Sequence, residues 1–394
     1  MEPTSESRLD AILAPDQVVS VTAALERARE AGHEVEVGQP SGDLRWTLEA
    51  PEWRAGLGPA PRKALEVMAE AGRLPPELAA PGTMALSVFT HLPPDCLEAY
   101  RAQLCVVRTL APEAAAVFDA NAYTVLQTAD LDDLTTVPVP PPPTRLYSVH
   151  VVIREGLAWL HTHGLQRCGA VEIELVDVPR ERVSDMKALL HAAAARLIEE
   201  AAPPGMCTAF EVSRETNLVW IPWAKMAAKG IVKGPGTQRS SCHTRETGVL
   251  LAKPSRWQRK AFPHEVIQGR PRVLVSRAES IRMAAGARAR WDRFRALFEE
   301  HRRDEAWRFL IKAAFDTAGP CGREHLWMDL RAATADGWSA QIVSDPCRAS
   351  LSRGDTIEGA LDSLSGFEVR APSGTFGPDD LVRVERHEAV DGSA

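Results

Sequence analysis

Five prolines stand between residues 138 and 143, in the segment VPVPPPPTR. Proline fixes φ at about −65° and lacks a backbone N–H, so this run can form neither the interior of a helix nor a central strand. We expect a stiff, extended linker over residues 137–145, and a ligand for a proline-recognising module is the alternative. Because a chain of 394 residues can hold two or three domains, the run predicts a domain boundary.

The composition is that of a soluble globular protein, with 45% apolar and 25% charged residues. No run of about 18 apolar residues occurs, and the N-terminal residues lack the basic and then apolar pattern of a signal peptide. The seven cysteines show no Cys-x-x-Cys spacing, which indicates reduced thiols. These features predict a cytoplasmic protein without a membrane partner.

Charge is unevenly distributed along the chain. Residues 253–308 contain fifteen Lys or Arg against seven Asp or Glu, a local excess of +8 in a chain of net charge −7. The acidic remainder argues against nucleic acid as a partner. We interpret the basic segment as a solvated helical connector, and a docking surface for an acidic partner is the alternative.

The part of the chain before the linker alternates helical and strand-like segments. An amphipathic pattern predicts a helix from Val21 that stops at Gly32 and leads into a short strand. Residues 43–50 and 83–92 have strand-forming compositions, and residues 93–120 predict at least one helix. An N-terminal α+β domain follows from this pattern.

Three strand-like segments follow the linker: LYSVHVVI from residue 146, LAWLHTH from residue 157 and AVEIELVDV from residue 170. The connections REG and GLQRCG are too short for a parallel crossover, so the segments predict an antiparallel meander over residues 147–177. An amphipathic helix that begins near Val183 is expected to cover one face of this sheet.

Two histidines and two glutamates on the second and third of these strands could form a metal site. Residues two apart share a face of a strand, so His161 and His163 point together, as do Glu172 and Glu174. If His163 pairs with Glu172, all four converge as a possible N2O2 set for a divalent ion.

The other register pairs His163 with Val171 and separates the histidines from Glu172 and Glu174. Apolar side chains at Val171 and Ile173 favour this second register, because it brings the apolar faces of the strands together. In that register the histidines are structural, and the sequence predicts no metal and no cofactor.

The C-terminal part divides into helical and strand-like segments. From Ala278 to about Phe315 the pattern predicts helix, and from Glu324 short alternating segments predict a small β-rich domain. The full prediction is a multi-domain α+β chain, with an antiparallel sheet and covering helices followed by that β-rich domain. Its five parts are an N-terminal α+β domain at 1–136, the linker at 137–145, the sheet domain at 146–255, the basic connector at 256–305 and the C-terminal domain at 306–388.

Familiar catalytic motifs are missing from the sequence. It contains no Gly-x-Ser-x-Gly, P-loop, His-Glu-x-x-His or Gly-x-Gly-x-x-Gly motif. Lys233 to Gly236 reads KGPG and is interpreted as a turn, since no helix follows to direct amides at a phosphate. Cys242 and His243 are adjacent, so on an extended chain they point apart and do not pair as nucleophile and base. No catalytic residue is therefore predicted.

Residues LHTHGLQRCGAVEIELVDVP, a helix and then MCTAFEV resemble the core of the Suppressor-of-fused-like domain. The matching positions are His161, Gly164, Leu165, Glu172 and Glu174, and His163 beside them is a further candidate binding residue. The resemblance implies an α+β domain that binds protein partners in a cleft between domains and has no catalytic activity. Bacterial members are associated with toxin–immunity loci.

The C-terminal part is similar to a small bacterial domain of unknown function that has a Glu-His-x-Trp motif and a later Gly-Asp pair. The matching residues are Glu324, His325, Trp327, Asp345, Pro346, Gly354 and Asp355. That family usually has a tryptophan after Gly-Asp, where this chain reads GALDSLSGFEV. Adjacent residues face opposite ways on a strand, so we expect His325 to hydrogen-bond a turn rather than to act with Glu324.

Two hypotheses about function follow. The first is a cytoplasmic protein-binding factor without catalytic activity, of the immunity or regulatory type, whose protein partner the sequence does not identify. The second is a metal-dependent hydrolase that uses His161, His163, Glu172 and Glu174. The favoured hairpin register supports the first hypothesis.

Overall fold

The computed structural model describes residues 6–199, 209–213, 217–237, 239, 247–253, 259–317, 323–347 and 350–384. Within them the chain has the predicted α+β class and is built on three sheets. Its residues form two compact units, Met1–Thr135 with Pro143–Val275 (unit 1) and Thr136–Pro142 with Ser276–Ala394 (unit 2).

The first sheet belongs to unit 1. Its strands and the helices between and after them are, in chain order, β1 (Ser7–Ile12), α1 (Val21–Glu30), β2 (Glu36–Gly38), β3 (Trp46–Glu49), β4 (Trp53–Pro59), α2 (Arg62–Glu70), β5 (Met84–Thr90), α3 (Cys96–Leu110), β6 (Ala116–Asp119), β7 (Thr124–Gln127) and α4 (Thr128–Thr136). The strand order is β2-β3-β4-β5-β1-β6-β7, and every neighbouring pair is antiparallel.

The predicted pattern of the N-terminal part is confirmed. Helix α1 begins after Ser20, whose Oγ accepts a hydrogen bond from the N–H of Ala23, and Gly32 follows its end with φ +87°. Strands β3 and β5 and helix α3 lie in the segments predicted for them. The buried face of α3 includes Tyr100 and packs on this sheet.

The second sheet also belongs to unit 1. Its elements are β8 (Ser148–Arg154), β9 (Leu157–His163), β10 (Glu172–Pro179), α5 (Val183–Glu199), β11 (Phe210–Glu211), β12 (Asn217–Pro222), α6 (Trp223–Ala227), β13 (Thr247–Lys253) and α7 (Pro263–Val266). The strand order is β11-β12-β13-β10-β9-β8. Strands β8, β9 and β10 form the predicted antiparallel meander, and α5 packs on it as predicted.

Strand β13 was not predicted. It lies between β12 and β10 and pairs with β10 in parallel, so the second sheet is mixed rather than purely antiparallel. Its first two residues, Thr247 and Gly248, end a long polar segment that resembles a loop, so this strand was not separated from it. Because β13 lies on one side of β10 and β9 on the other, β10 is an interior strand of the sheet.

The expected register of the β9–β10 hairpin is wrong. Glu174 lies opposite His161 and Leu175 lies opposite Leu160. This is the alternative register, which corresponds to His163 opposite Glu172 rather than Val171. Apolar alternation could not choose between the registers, because both faces of this sheet are buried. One face contributes Leu160 and Leu175 to the core beneath α5, and the other packs Trp159 and Val176 into a separate cluster.

The described residues of unit 2 form two α-helices and the third sheet. The elements are α8 (Arg277–Ala289), α9 (Trp291–His301), β14 (Arg308–Asp316), β15 (Arg323–Ala333), β16 (Gly337–Ile342), β17 (Thr356–Ala360), β18 (Leu364–Ala371) and β19 (Gly374–Phe376). The strands run antiparallel in the order β17-β16-β15-β14-β18-β19. Trp291 and Phe294 of α9 share one core with Phe367 of the sheet.

The helical pattern predicted up to Phe315 is wrong in its last part. Helix α9 ends at His301, and β14 occupies the end of the segment. Phe309, Ile311 and Ala313 contribute to the core of unit 2 at alternating positions, which is the period of a strand rather than of a helix. The β-rich character predicted for the C-terminal part agrees with the third sheet.

The proline run is partly buried. Pro141, Pro142 and Pro143 are buried, and Pro143 begins a short 3-10 helix that ends at Arg145. The linker and the five-part division of the chain stay predictions. Among the described residues, every helix is too short or too polar to cross a membrane.

Candidate metal centre

The turn between β8 and β9 sets the geometry of the site. Glu155 and Gly156 form a two-residue connection, and both have positive φ, at +51° and +81°. This is the arrangement of a type I′ hairpin turn, which fixes the pairing of the strands that flank it. His150 of β8 consequently lies opposite His161 of β9. His163, two residues further along β9, shares their face of the sheet.

The three histidines form one compact cluster. Their possible ligand atoms, one nitrogen from each ring, all lie within 4.8 Å of one another. The ring centroids of His150 and His163 are 4.5 Å apart, and that of His161 is 5.6 Å from the first and 4.9 Å from the second. His161 is 2% exposed, whereas the other two are half-buried. The cluster therefore combines a fixed inner residue with an accessible outer side.

Trp159 forms the wall behind His161. The two rings stack with centroids 3.9 Å apart. The indole Nε1 of Trp159 donates a 2.7 Å hydrogen bond to Glu174, which is completely buried. Glu174 also accepts hydrogen bonds from Arg239 at 2.7 and 2.8 Å and from the Thr247 hydroxyl at 2.5 Å. This carboxylate holds the wall in place and does not belong to the histidine cluster.

Glu172 supports the chain just after His163. Its carboxylate accepts hydrogen bonds from the Thr162 hydroxyl at 2.7 Å and from the N–H groups of Gly164 at 2.8 Å and Gln166 at 3.3 Å. Burial raises the pKa of Glu172, although these hydrogen bonds oppose the shift. Gly164 has φ +118°, and a Cβ there would lie 2.3 Å from a backbone oxygen of Leu146. The turn at Gly164 therefore requires glycine.

The set of four ligands considered from the sequence is only half present. His161 and His163 lie together, but Glu172 and Glu174 bind other groups of unit 1. His150 stands in their place, and sequence reasoning missed it. The two-residue turn at Glu155 and Gly156 was the signal that could have found it, because such a turn sets the β8–β9 register.

The C-terminal motif residues occupy separate places in unit 2. The Glu324 carboxylate accepts a hydrogen bond from the N–H of Cys347, and Asp355 accepts one from the N–H of Ser352, both at 2.8 Å. Nδ1 of His325 lies 2.8 Å from the Ser365 hydroxyl, in strand β18 and not in the turn that we expected.

Two further members of that motif, Trp327 and Gly354, have backbone roles. The N–H of Trp327 donates to the Ser344 hydroxyl at 3.1 Å. Gly354 has φ +96° and its N–H donates to Ile342. Among the described residues Glu324 and His325 have different hydrogen-bond partners, as their adjacent positions predict.

The KGPG segment is a turn held by an acidic side chain. The N–H groups of Lys233 and Gly234 donate to the Asp177 carboxylate at 2.9 and 2.6 Å. A 3-10 helix follows at Pro235–Thr237. These amides are therefore engaged within the protein. Cys242 and His243 lie outside the described residues.

The basic segment makes ion pairs inside unit 2. Arg282 is 6% exposed in its side chain and contacts Glu279 and Asp379, each at 2.7 Å. Arg308 contacts Asp329 at 2.6 Å. These arginines are therefore partnered by acidic residues of the same unit.

The strands that carry the three histidines coincide with a recognisable family segment. Residues 149–251 match the family described as protein of unknown function (DUF4026), C-terminal. The DUF4026 match includes His150, His161 and His163 together with Glu172 and Glu174. No curated protein and no solved structure matches the chain. The DUF4026 match supports a family of unknown function; the Suppressor-of-fused-like resemblance is a separate prediction that this match does not show.

Proposed function

We propose that this chain is a metalloprotein that binds one divalent transition metal, zinc in the first instance, through His150, His161 and His163. The observation that carries the proposal is the approach of the three ligand nitrogens to within 4.8 Å of one another. Imidazole is the commonest protein ligand for metals of this class.

The spacing suits a zinc ion after a small adjustment. At Zn–N distances of about 2.0–2.1 Å and tetrahedral angles, two ligand nitrogens lie about 3.4 Å apart. No pair in the cluster therefore has to close by more than about 1.4 Å. Rotation of the half-buried rings of His150 and His163 can supply this movement, while His161 is held against Trp159.

In the part of the chain that the structure describes, three imidazoles offer ligands, and the fourth position of a tetrahedral ion is assigned to an exchangeable group. Zinc sites with three protein ligands and an exchangeable water are typically catalytic, whereas four protein ligands are typical of structural sites. The activity that this ligand set supports best is hydrolysis. Water adds its oxygen to the carbonyl carbon of the substrate, the bond from that carbon to the leaving group breaks, and a proton passes to the leaving group.

A direct test uses an activated ester, p-nitrophenyl acetate, with the full chain. Protein stripped by a chelator should be inactive, and zinc should restore hydrolysis. His161→Ala should abolish the zinc-dependent rate, and His91→Ala, at an exposed histidine, should keep it. A rate that chelation and His161→Ala both leave unchanged would contradict a metal-dependent hydrolase.

Protein binding without catalysis is the second candidate, as the Suppressor-of-fused-like resemblance implies. One observation favours it: β8 is the last strand of its sheet, with Val152 and Ile153 at 41% and 47% exposure. Such an edge can accept an extended segment of a partner protein as an added strand.

A photo-crosslinking residue in place of Val152 tests this second candidate. The same residue in place of Val18, which is 87% exposed, is the control. The candidate predicts a specific crosslinked protein at Val152 alone that binds the chain again when both are purified. Crosslinks of equal yield at both positions would contradict it.

A further inference from the structure

We infer that Tyr123 is a fourth functional side chain of the histidine site, whose hydroxyl donates a hydrogen bond to the exchangeable ligand of the metal. This inference rests on the proposed metal centre. It assigns to the Tyr123 hydroxyl the role of binding anions and polarising substrate at the metal. Tyr123 lies in the turn that joins β6 and β7 of the first sheet, whereas the histidines lie in strands of the second, so no short-range sequence pattern connects them.

The ring of Tyr123 contacts two of the three histidines. Its centroid lies 5.3 Å from that of His163 and 6.3 Å from that of His150, and both contacts are edge-to-face. These are the two half-buried members of the cluster, through which an external ligand would enter. Tyr123 is itself half-buried, so its hydroxyl can meet a bound ligand while the ring is packed against Phe118.

The backbone of Tyr123 has an unfavourable conformation. Its φ is +51°, in the left-handed region that a tyrosine rarely adopts. Such a residue persists where its surroundings determine it, and it is commoner at functional sites than elsewhere. The residue before it, Ala122, and Asn121 both donate backbone N–H bonds of 3.0 Å to the Asp119 carboxylate. Asp119 thus fixes the turn that presents Tyr123.

The same carboxylate connects this turn to the chain that carries the histidines. Arg167 lies four residues after His163 and donates to both carboxylate oxygens of Asp119, at 3.0 and 2.8 Å. The placement of Tyr123 beside His163 is therefore maintained by a buried contact and not by surface packing alone. A phenol held in this way can act as a preorganised donor toward charge that develops on a metal ligand.

Cobalt-substituted protein provides the test, since Co²⁺ reports its ligands by visible absorption. The anion probe is azide, titrated into the full chain with one equivalent of Co²⁺. Tyr123→Phe removes only the hydroxyl, and Tyr147→Phe is the matched control because Tyr147 bonds to His191 instead.

Tyr123→Phe should bind cobalt like the wild type and keep its melting temperature, but bind azide at least about tenfold more weakly, as expected for one lost hydrogen bond to a charged acceptor. The pH-dependent change in its cobalt spectrum should also occur at a higher pH than in the wild type. The reason is that the bound water loses a hydrogen bond that favours its ionised form. Tyr147→Phe should match the wild type in both measurements.

Equal azide affinity and an equal pH profile in Tyr123→Phe would overturn the donor role while the cobalt spectrum still supports the metal centre. A tyrosinate-to-metal charge-transfer band in the Fe³⁺ protein, lost in Tyr123→Phe together with metal affinity, would make Tyr123 a ligand and also overturn it. A wild-type protein without any cobalt spectrum would remove the metal centre itself.

Discussion

Arg167 and Asp119 form an ion pair in which both side chains are completely buried, with 2.8 Å between Nη2 and Oδ2. The pair joins the 3-10 turn after β9 to the last residue of β6, and so it joins the two sheets of unit 1. Tyr100 donates to the same carboxylate at 2.9 Å, and its ring lies 4.8 Å from the Arg167 guanidinium carbon. This network sets the distance between the histidine cluster and Tyr123.

Removing one partner of this buried pair should strongly destabilise the protein. Arg167→Met leaves the Asp119 charge buried without its main partner, which typically costs about 3–5 kcal/mol in the free energy of unfolding. Arg62→Met breaks an exposed pair with Glu66 and should cost less than about 1 kcal/mol. Urea unfolding of both variants measures the difference, and similar losses would contradict the central role of the buried pair.

Gly164 should tolerate alanine much less well than Gly156. Both have positive φ, so both substitutions carry a backbone penalty of order 1 kcal/mol. Only at Gly164 would the new Cβ also meet a backbone oxygen, that of Leu146. Gly164→Ala should therefore lower the melting temperature well beyond Gly156→Ala. Equal decreases in melting temperature for the two variants would contradict this, because they would show that the turn at Gly164 can move away from the Leu146 carbonyl.

His191 should make stability depend on pH below its ordinary pKa of 6.5. Burial, helped by Lys187, lowers the pKa of His191 in the folded protein. The unfolded chain therefore takes up the proton first as the pH falls below 6.5, so the free energy of unfolding decreases there. The neutral ring is bonded to Tyr147, with 3.0 Å between Nδ1 and the hydroxyl oxygen.

Unfolding titrations between about pH 7 and pH 5 check this linkage. His191→Gln should lose less stability over the interval than the wild type, whereas the exposed substitution His91→Gln should follow the wild type. A His191→Gln slope identical to the wild-type slope would contradict the lowered pKa.

Local signals in the sequence predicted some elements and missed others for physical reasons. Short connections sufficed for the meander of β8, β9 and β10, because they exclude a parallel crossover. They did not reveal β13, whose parallel partner residues lie 75 positions earlier in the chain. The predicted register of the β9–β10 hairpin was wrong at His161. Both faces of the sheet are buried there, so the alternation of apolar residues does not favour one register over the other.

The site was predictable only in the part that a single hairpin determines. His161 and His163 stand out by their spacing, and the turn at Gly156 was enough to add His150 to them. Tyr123 could not be found in this way, since its approach to His163 depends on the packing of one sheet against another. Contacts of that kind arise from buried partners such as Arg167, which look like ordinary surface residues in a sequence.

The metal content of protein purified without an affinity tag tests the central claim most directly. After zinc loading and removal of free ion, elemental analysis should give about one zinc per chain for the wild type and for His91→Ala, and far less for His150→Ala, His161→Ala and His163→Ala. A wild type that retains no zinc, or alanine variants that retain as much as it does, would contradict the three-histidine metal centre.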